Sequence, residues 1–176
     1  MGLQKLREFP LTCPYCRGEM NVSVYLYEIP YVGPILITVM NCPSCGFRRR
    51  EVSVAESGEA LKIKVRVEGE EELKYLVVKS STASVAIPEA GLEYVPGPYA
   101  QGVITTVEGI LHEFLGALEV ICQERRERCE EARKWLNEAI EGKARFTLVM
   151  CDPEGKSNVF GKAERSSMDV ECPSLD

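Results

Sequence analysis

Four cysteines stand in two Cys-Pro-x-Cys knuckles, Cys13/Cys16 and Cys42/Cys45, with 25 residues between them. Each knuckle brings two thiols together in one tight turn. Four thiolates satisfy the tetrahedral preference of Zn²⁺ and leave no open position for catalysis. The intervening stretch is longer than the roughly fifteen to twenty residues usual between such pairs. The alternatives are two disulfides or four idle thiols. Cysteines two apart rarely pair with each other, however, and random thiols seldom fall into two like knuckles. The spacing therefore predicts one structural Zn²⁺ per chain, held by Cys13, Cys16, Cys42 and Cys45.

The stretch between the knuckles must fold so that the second pair returns to the first. Residues 21–28 alternate, with Val22, Val24 and Leu26 on one face and Ser23, Tyr25 and Tyr27 on the other, as in a strand. Pro30, Gly33 and Pro34 interrupt it, because proline cannot donate to a ladder. Residues 35–39 make a second strand that leads into the second knuckle. The result is a zinc ribbon with an extended arm. Ile29, Tyr31 and Val32 lie at its tip, where a turn is normally polar. They either pack on the next domain or, with Phe47 just beyond the second knuckle, meet a partner protein.

After the ribbon, Leu61, Ile63, Val65 and Val67 alternate with Lys62, Lys64 and Arg66, the pattern of a half-exposed strand. Shorter strands follow, punctuated by glycine and proline, which points to a sandwich, barrel or β-helix. Then the period changes. Thr105-x-x-Glu108 reads as a capping box. Ile110, Leu111, Phe114 and Leu118, and later Trp135, Leu136, Ala139 and Ile140, recur at helical spacing around a polar join at 123–128. Gly142 is the expected stop. An αα-hairpin results. Residues 145–151 return to strand, with Phe146, Leu148 and Met150 on one face, and Asp152-Pro153-Glu154-Gly155 is a turn. The expected organisation is a Cys₄ ribbon over 1–52, with 1–12 as a polar lead-in. A β domain covers 53–161, the helical hairpin is inserted at about 106–142, and a loose polar tail occupies 162–176.

A chain of 176 residues, 45% hydrophobic and 27% charged, has ordinary globular composition and can bury a core. It has no apolar run long enough to span a bilayer and no secretory leader pattern, so a cytoplasmic location is expected. The net charge is −6. That balance argues against nucleic acid, and the arginine runs at 48–50 and 125–128 are flanked by glutamates. An acidic surface more readily meets a basic protein.

The other chemically interesting residues have structural readings. His112 is the sole histidine, too few for a histidine metal site. Ser80, Ser81 and Thr82 lack a neighbouring base and suit strand-edge hydrogen bonding. The loop at 97–102 precedes a helix but carries no phosphate-loop lysine. Cys122 and Cys129, and Cys151 and Cys172, are expected as buried thiols. A disulfide in either pair would be reasonable only in a thermophile cytosol.

Several stretches together resemble the ZPR-type zinc-finger proteins. They are Cys13-Pro-x-Cys16 with Met20, Ile29-Pro30-Tyr31, and Cys42-x-x-Cys45-Gly46-Phe47-Arg48 with Glu51-Val52. Further on come Ser80-Ser81-Thr82-Ala83 through Ile87-Pro88-Glu89 and Gly91-Leu92-Glu93, then Gly102 with Thr105-Thr106-Val107-Glu108-Gly109. Asp152-Pro153-x-Gly155-x-Ser157 closes the series. Phe47 stands where tyrosine is common and Lys156 where asparagine is frequent. The resemblance implies a zinc ribbon followed by a double-stranded β-helix or jelly-roll-like domain with a helical hairpin. It implies one module, as in archaeal members, where eukaryotic proteins carry two. It further implies binding to translation elongation factor one-alpha, with a role in the folding or cycling of that factor, and no enzymatic activity. A nucleic-acid-binding zinc ribbon of the transcription or translation machinery and a rubredoxin-like Cys₄ iron protein are the competing readings.

Overall fold

The alternating stretches form strands in two separate bodies of sheet. The computed structural model describes residues 2–30, 33–55, 58–122, 126–168 and 172, leaving aside the side chains of 126–128. The first sheet contains β1 (Gln4–Thr12), β2 (Glu19–Ile29), β3 (Gly33–Asn41) and β4 (Arg48–Val54), antiparallel in that order. Residues 1–12 are therefore not merely a lead-in: β1 pairs along β2, with Phe9 opposite Val22 and Leu11 opposite Met20. Only Phe9 of β1 is even half-buried. An edge strand with so little buried surface carries no hydrophobic period to read.

The second body is a jelly roll of two sheets. One contains β5 (Leu61–Val67), β7 (Ser84–Ile87), β8 (Leu92–Tyr94), β10 (Phe146–Asp152) and β12 (Glu164–Ser167), in the order β12-β5-β10-β7-β8. The other contains β6 (Leu76–Lys79), β9 (Val103–Thr106) and β11 (Asn158–Phe160), in the order β11-β6-β9. A short α1 (Glu70–Leu73) joins β5 to β6, and α2 (Val107–Ile121) and α3 (Arg126–Ile140) form the hairpin. Ile63, Val65, Val67, Val85 and Met150 from the larger sheet meet Val77 and Val159 from the smaller. Phe114 and Leu136 close the same core from the helices, and Trp135 packs at its margin with its ring edge-on to Phe146 at 5.5 Å.

The strand β6 is buried on both faces. Val77 points into the jelly-roll core, while its neighbour Val78 points outward and packs against Ile35 and Val52 of the ribbon. The ribbon sheet thus lies against the outer face of the small sheet. Arg49 Nη2 donates to Ser81 Oγ at 2.9 Å, and Ser81 N donates to Glu51 Oε1 at 3.0 Å across the same seam.

The hairpin follows the sequence with two shifts: the second helix already begins at Arg126, inside the polar join expected at 123–128, and the cap of the first moves by one residue. The helix cap is Thr106, not Thr105: both threonines pair with β6, Thr105 with Val77 and Thr106 with Leu76, the helix starts at Val107, and the Thr106 hydroxyl accepts from Gly109 N at 3.1 Å. At the far end Gly142 takes a left-handed φ of +71°. Lys143 N donates to Glu138 O and Gly142 N to Ala139 O, the paired bonds that close a helix at glycine. The join at 123–125 lies outside the described residues.

Three expectations change on folding. Lys62, expected on a half-exposed face, is 2% exposed, because it lies between Cys151 of β10 and Ser166 of β12. The tail is not loose over 164–167, which pair with β5. The four remaining cysteines are not free: Cys122 bonds Cys129 and Cys151 bonds Cys172. The hairpin and the returning tail bring each pair to a Cα separation of 5.8 Å, within bridging range.

The turn after β10 is centred on Asp152, which is fully buried. It accepts from Ser157 Oγ at 2.6 Å, Glu154 N and Lys156 N at 2.9 Å, and Thr82 Oγ1 at 3.2 Å. Ser80 N in turn donates to Ser157 Oγ. The hydroxyl cluster at 80–82 is thus structural, as its lack of a base suggested. Burial pushes the Asp152 carboxyl up, but the donors around it outweigh burial and hold it below its ordinary value of 3.8. A carboxylate depressed in the folded state adds stability above its ordinary pKa. That contribution is lost as pH falls through the folded value. Asp152→Asn should cost about 3 kcal/mol at neutral pH, the scale of bonds to a charged acceptor. Chemical denaturation at pH 7 and pH 3 should show a smaller deficit at the lower pH; an equal deficit at both would refute the assignment.

Candidate metal centre

Two copies of one turn build the site. In the first, Cys13 N donates to Gly18 O at 2.8 Å and Arg17 N to Cys13 O at 3.0 Å. In the second, Cys42 N donates to Phe47 O at 2.8 Å and Gly46 N to Cys42 O at 3.0 Å. Arg17 and Gly46 occupy the same place in their turns and both take left-handed φ, +59° and +75°. Glycine accepts that conformation readily, whereas Arg17 does so against a steric cost. The pairing of β2 with β3 then sets the knuckles face to face.

The four Sγ atoms lie within 4.8 Å of one another. Cys13 and Cys45 are 3.7 Å apart, and Cys16 and Cys42 are 3.5 Å apart. A tetrahedron with Zn–S bonds of about 2.3 Å has sulfur–sulfur edges of about 3.8 Å. The cluster is therefore positioned for one metal ion. Cys13 and Cys42 are buried on Met20 and Val22, with Phe9, Met40 and Phe47 packed alongside, while Cys16 and Cys45 face outward.

The electrostatics call for a cation. Burial opposes ionisation of Cys42, yet the amides of Cys45 and Ser44 and the neighbouring thiols bring its pKa down to about 6. Cys45 receives the Phe47 amide, which favours its thiolate, but burial and the three other sulfurs push it up to about 12. One thiolate forms readily and then resists the next. A divalent ion resolves that conflict by neutralising four thiolates held at bonding distance.

Of the expected partner-binding residues, the described structure places Ile29 and Phe47. Ile29 is half-buried against the Ile35, Val52 and Val78 group, so it is not a free apolar tip. Tyr31 and Val32 lie outside the described residues. Phe47 is half-buried, with the Tyr15 ring 4.9 Å away. Tyr15 in turn stacks against Tyr99 at 6.2 Å and 20°. Tyr15 and Tyr99 are 53% and 71% exposed, so a row of aromatic rings runs from the second knuckle over the first to the loop before β9. Neither tyrosine was singled out from sequence. Tyr15 sits inside a knuckle, where a large ring has no core to enter, and that was the available signal. His112 is exposed and 3.7 Å from Glu108 on the same helix, away from the thiols.

The fold and the thiol cluster define a four-cysteine zinc-finger protein of the ribbon-plus-jelly-roll class. The chain belongs to the ZPR1 family: the ZPR1 zinc-finger domain matches residues 5–60 and the ZPR1 jelly-roll domain matches residues 71–172. A ZPR1-like protein of Methanocaldococcus jannaschii is 37% identical over 159 residues, covering 86% of this chain and 80% of the relative. A second, from Pyrococcus horikoshii, is 32% identical over 177 residues, covering 93% and 78%. The zinc finger chaperone zpr1 of Schizosaccharomyces pombe is 33% identical over 181 residues, covering 95% of this chain and 39% of that longer protein.

Metal removal should act locally. Only the knuckle end of the ribbon depends on the metal; its other end is anchored on Val78. Cys42→Ser should abolish binding of one zinc per chain and expose the amides of residues 13–22 and 40–47 to hydrogen exchange. Protection over 61–67 and 146–152 should persist. Loss of protection throughout, or retention of one tightly held zinc, would contradict this. Metal analysis of the purified chain should find zinc in a colourless protein; a red, iron-loaded protein would support the rubredoxin-like alternative.

Proposed function

We propose that this chain is a protein-binding module that engages translation elongation factor one-alpha and assists its folding or cycling, with no catalytic role for the metal. The observation that carries the reading is the row of rings Tyr99–Tyr15–Phe47 at the metal-fixed knuckles, with both tyrosines exposed and Phe47 half-buried beneath them. Large rings held rigid at low entropic cost are the usual anchors of protein interfaces. The S. pombe relative is named a chaperone, which favours a protein as the partner. The thiol cluster has four protein ligands, and four ligands complete a structural zinc site. Tyr31 and Val32, outside the described residues, are included among the proposed contacts on the strength of the sequence alone. Ile29 supports it only indirectly, by fastening the arm to the jelly roll.

The net charge of −6 suits a basic partner surface and an association rate that falls as salt rises. The test is binding of purified elongation factor to wild type, Tyr15→Ala, Phe47→Ala and Tyr31→Ala, each with its zinc content measured. Loss of one anchor should cost about 2 kcal/mol or more, roughly thirtyfold in Kd. Unchanged affinity in all three variants, at full zinc content, would remove the knuckle surface from the interface.

A further inference from the structure

A cavity of about 290 Å³ opens at the mouth of the jelly roll, between the end of β6, β8 and α2. Its walls are mainly apolar and aromatic, among them Val85, Leu92, Tyr94, Ile110 and Phe114. Lys79, the last residue of β6, also lines it. Lys79 lies on the same face of the strand as Val77, so its stem runs into the interior, and the residue is 2% exposed. Its ammonium sits 4.8 Å from the centre of the Tyr94 ring. Among the described residues it makes no hydrogen bond or ion pair, and because no fully buried side-chain nitrogen there lacks a partner, its Nζ opens into the cavity. Glu113, on α2 at the rim, and Glu51 act on it only through space.

An ammonium enclosed in a mainly apolar cavity without a close counter-ion is costly to the fold unless something else compensates it. The Tyr94 ring supplies part of that, since a cation over an aromatic face is attracted to it. The three donors of the ammonium remain available. We propose that this cavity is a binding site for a small monocarboxylate with an aromatic or branched apolar body, its carboxylate paired with Lys79 and its body lying against Tyr94, Ile110 and Phe114.

Size and charge choose the ligand class. The volume is at the lower end for ligand pockets and suits a free small molecule rather than a folded partner. One ammonium beside a carboxylate suits a monoanion, whereas a phosphate would require further cations or a fork of N–H donors. The cavity lies in the jelly roll, and the proposal does not depend on the elongation-factor reading. Burial lowers the Lys79 pKa, and Glu113 and Glu51 oppose that effect. Burial likewise raises the Glu113 carboxyl, with Lys79 opposing. Glu113 therefore competes with an incoming carboxylate for the same ammonium, while Glu93 and the Tyr94 hydroxyl complete the titratable groups around the opening.

The test uses the full zinc-loaded chain and 3-phenylpropionate, with 3-phenylpropionamide as its neutral match. Calorimetry gives the affinities, and NMR shifts at Tyr94, Ile110 and Phe114 locate the ligand. The acid should bind about tenfold or more tighter than the amide, as a charge-assisted contact implies. Lys79→Met should remove that preference, its fold verified by one zinc per chain and a cooperative melt. Glu113→Gln, an exposed change on α2, should tighten the acid and leave the amide unchanged; it tests the proposal even if Lys79→Met fails to fold. Equal affinity of acid and amide, absence of binding at millimolar acid, or shifts elsewhere in the chain would overturn the proposal. Preference for a peptide ending in a free phenylalanine carboxylate would overturn the small-molecule assignment and point to a protein terminus.

Discussion

Four sulfur atoms held within 4.8 Å of one another cannot all carry charge unless a cation lies among them. The divergent pKa values of Cys42 and Cys45, about 6 and about 12, express that constraint. Metal binding converts the repulsion into the cross-link that joins the two ends of a long antiparallel arm. The hydrophobic support at the knuckles is small, confined to Met20, Val22 and a few partly buried neighbours. A cluster of that size does not hold two turns in register alone, so the coordination bonds supply most of the local stability.

The opposite end of the ribbon is held by different means. Ile35 and Val52 rest on Val78, and the Arg49–Ser81–Glu51 bonds tie β4 to the turn after β6. Asp152 gathers that turn and the one after β10 through Thr82, Ser157 and two backbone amides. The metal site and the jelly roll are therefore linked through a chain of hydroxyls and carboxylates. A partner seated on the knuckle aromatics would meet a surface fixed by coordination at one end and by this seam at the other.

β6 serves both faces of the assembly. Val78 faces the ribbon, Val77 faces the core, and Lys79 ends the strand inside the cavity under α2. An ammonium on an inward-facing position is an unusual choice for a jelly-roll interior. The Tyr94 ring makes it tolerable, and the apolar walls around it strengthen any carboxylate contact it makes.

The sequence by itself determined which four cysteines gather into a cluster positioned for one metal ion, because knuckle spacing is local chemistry and needs no knowledge of the fold. It determined the helical hairpin and the strands with clean alternation, because one-sided burial writes a period into the residues. The family resemblance added the order of ribbon and jelly roll, which periodicity left among sandwich, barrel and β-helix. Tertiary structure decided what has no period. β1 is an edge strand of exposed residues, and Glu164–Ser167 pairs only because β5 presents a free edge. The helix cap moved from Thr105 to Thr106 because strand pairing with β6 runs through both threonines and the helix begins only at Val107. The disulfides depend on distances set across the hairpin and the returning tail, which spacing alone does not specify. Ile29 packed inward and Tyr15 outward for the same reason: which apolar side chain finds a neighbour depends on where the ribbon docks, a long-range contact that local sequence does not encode.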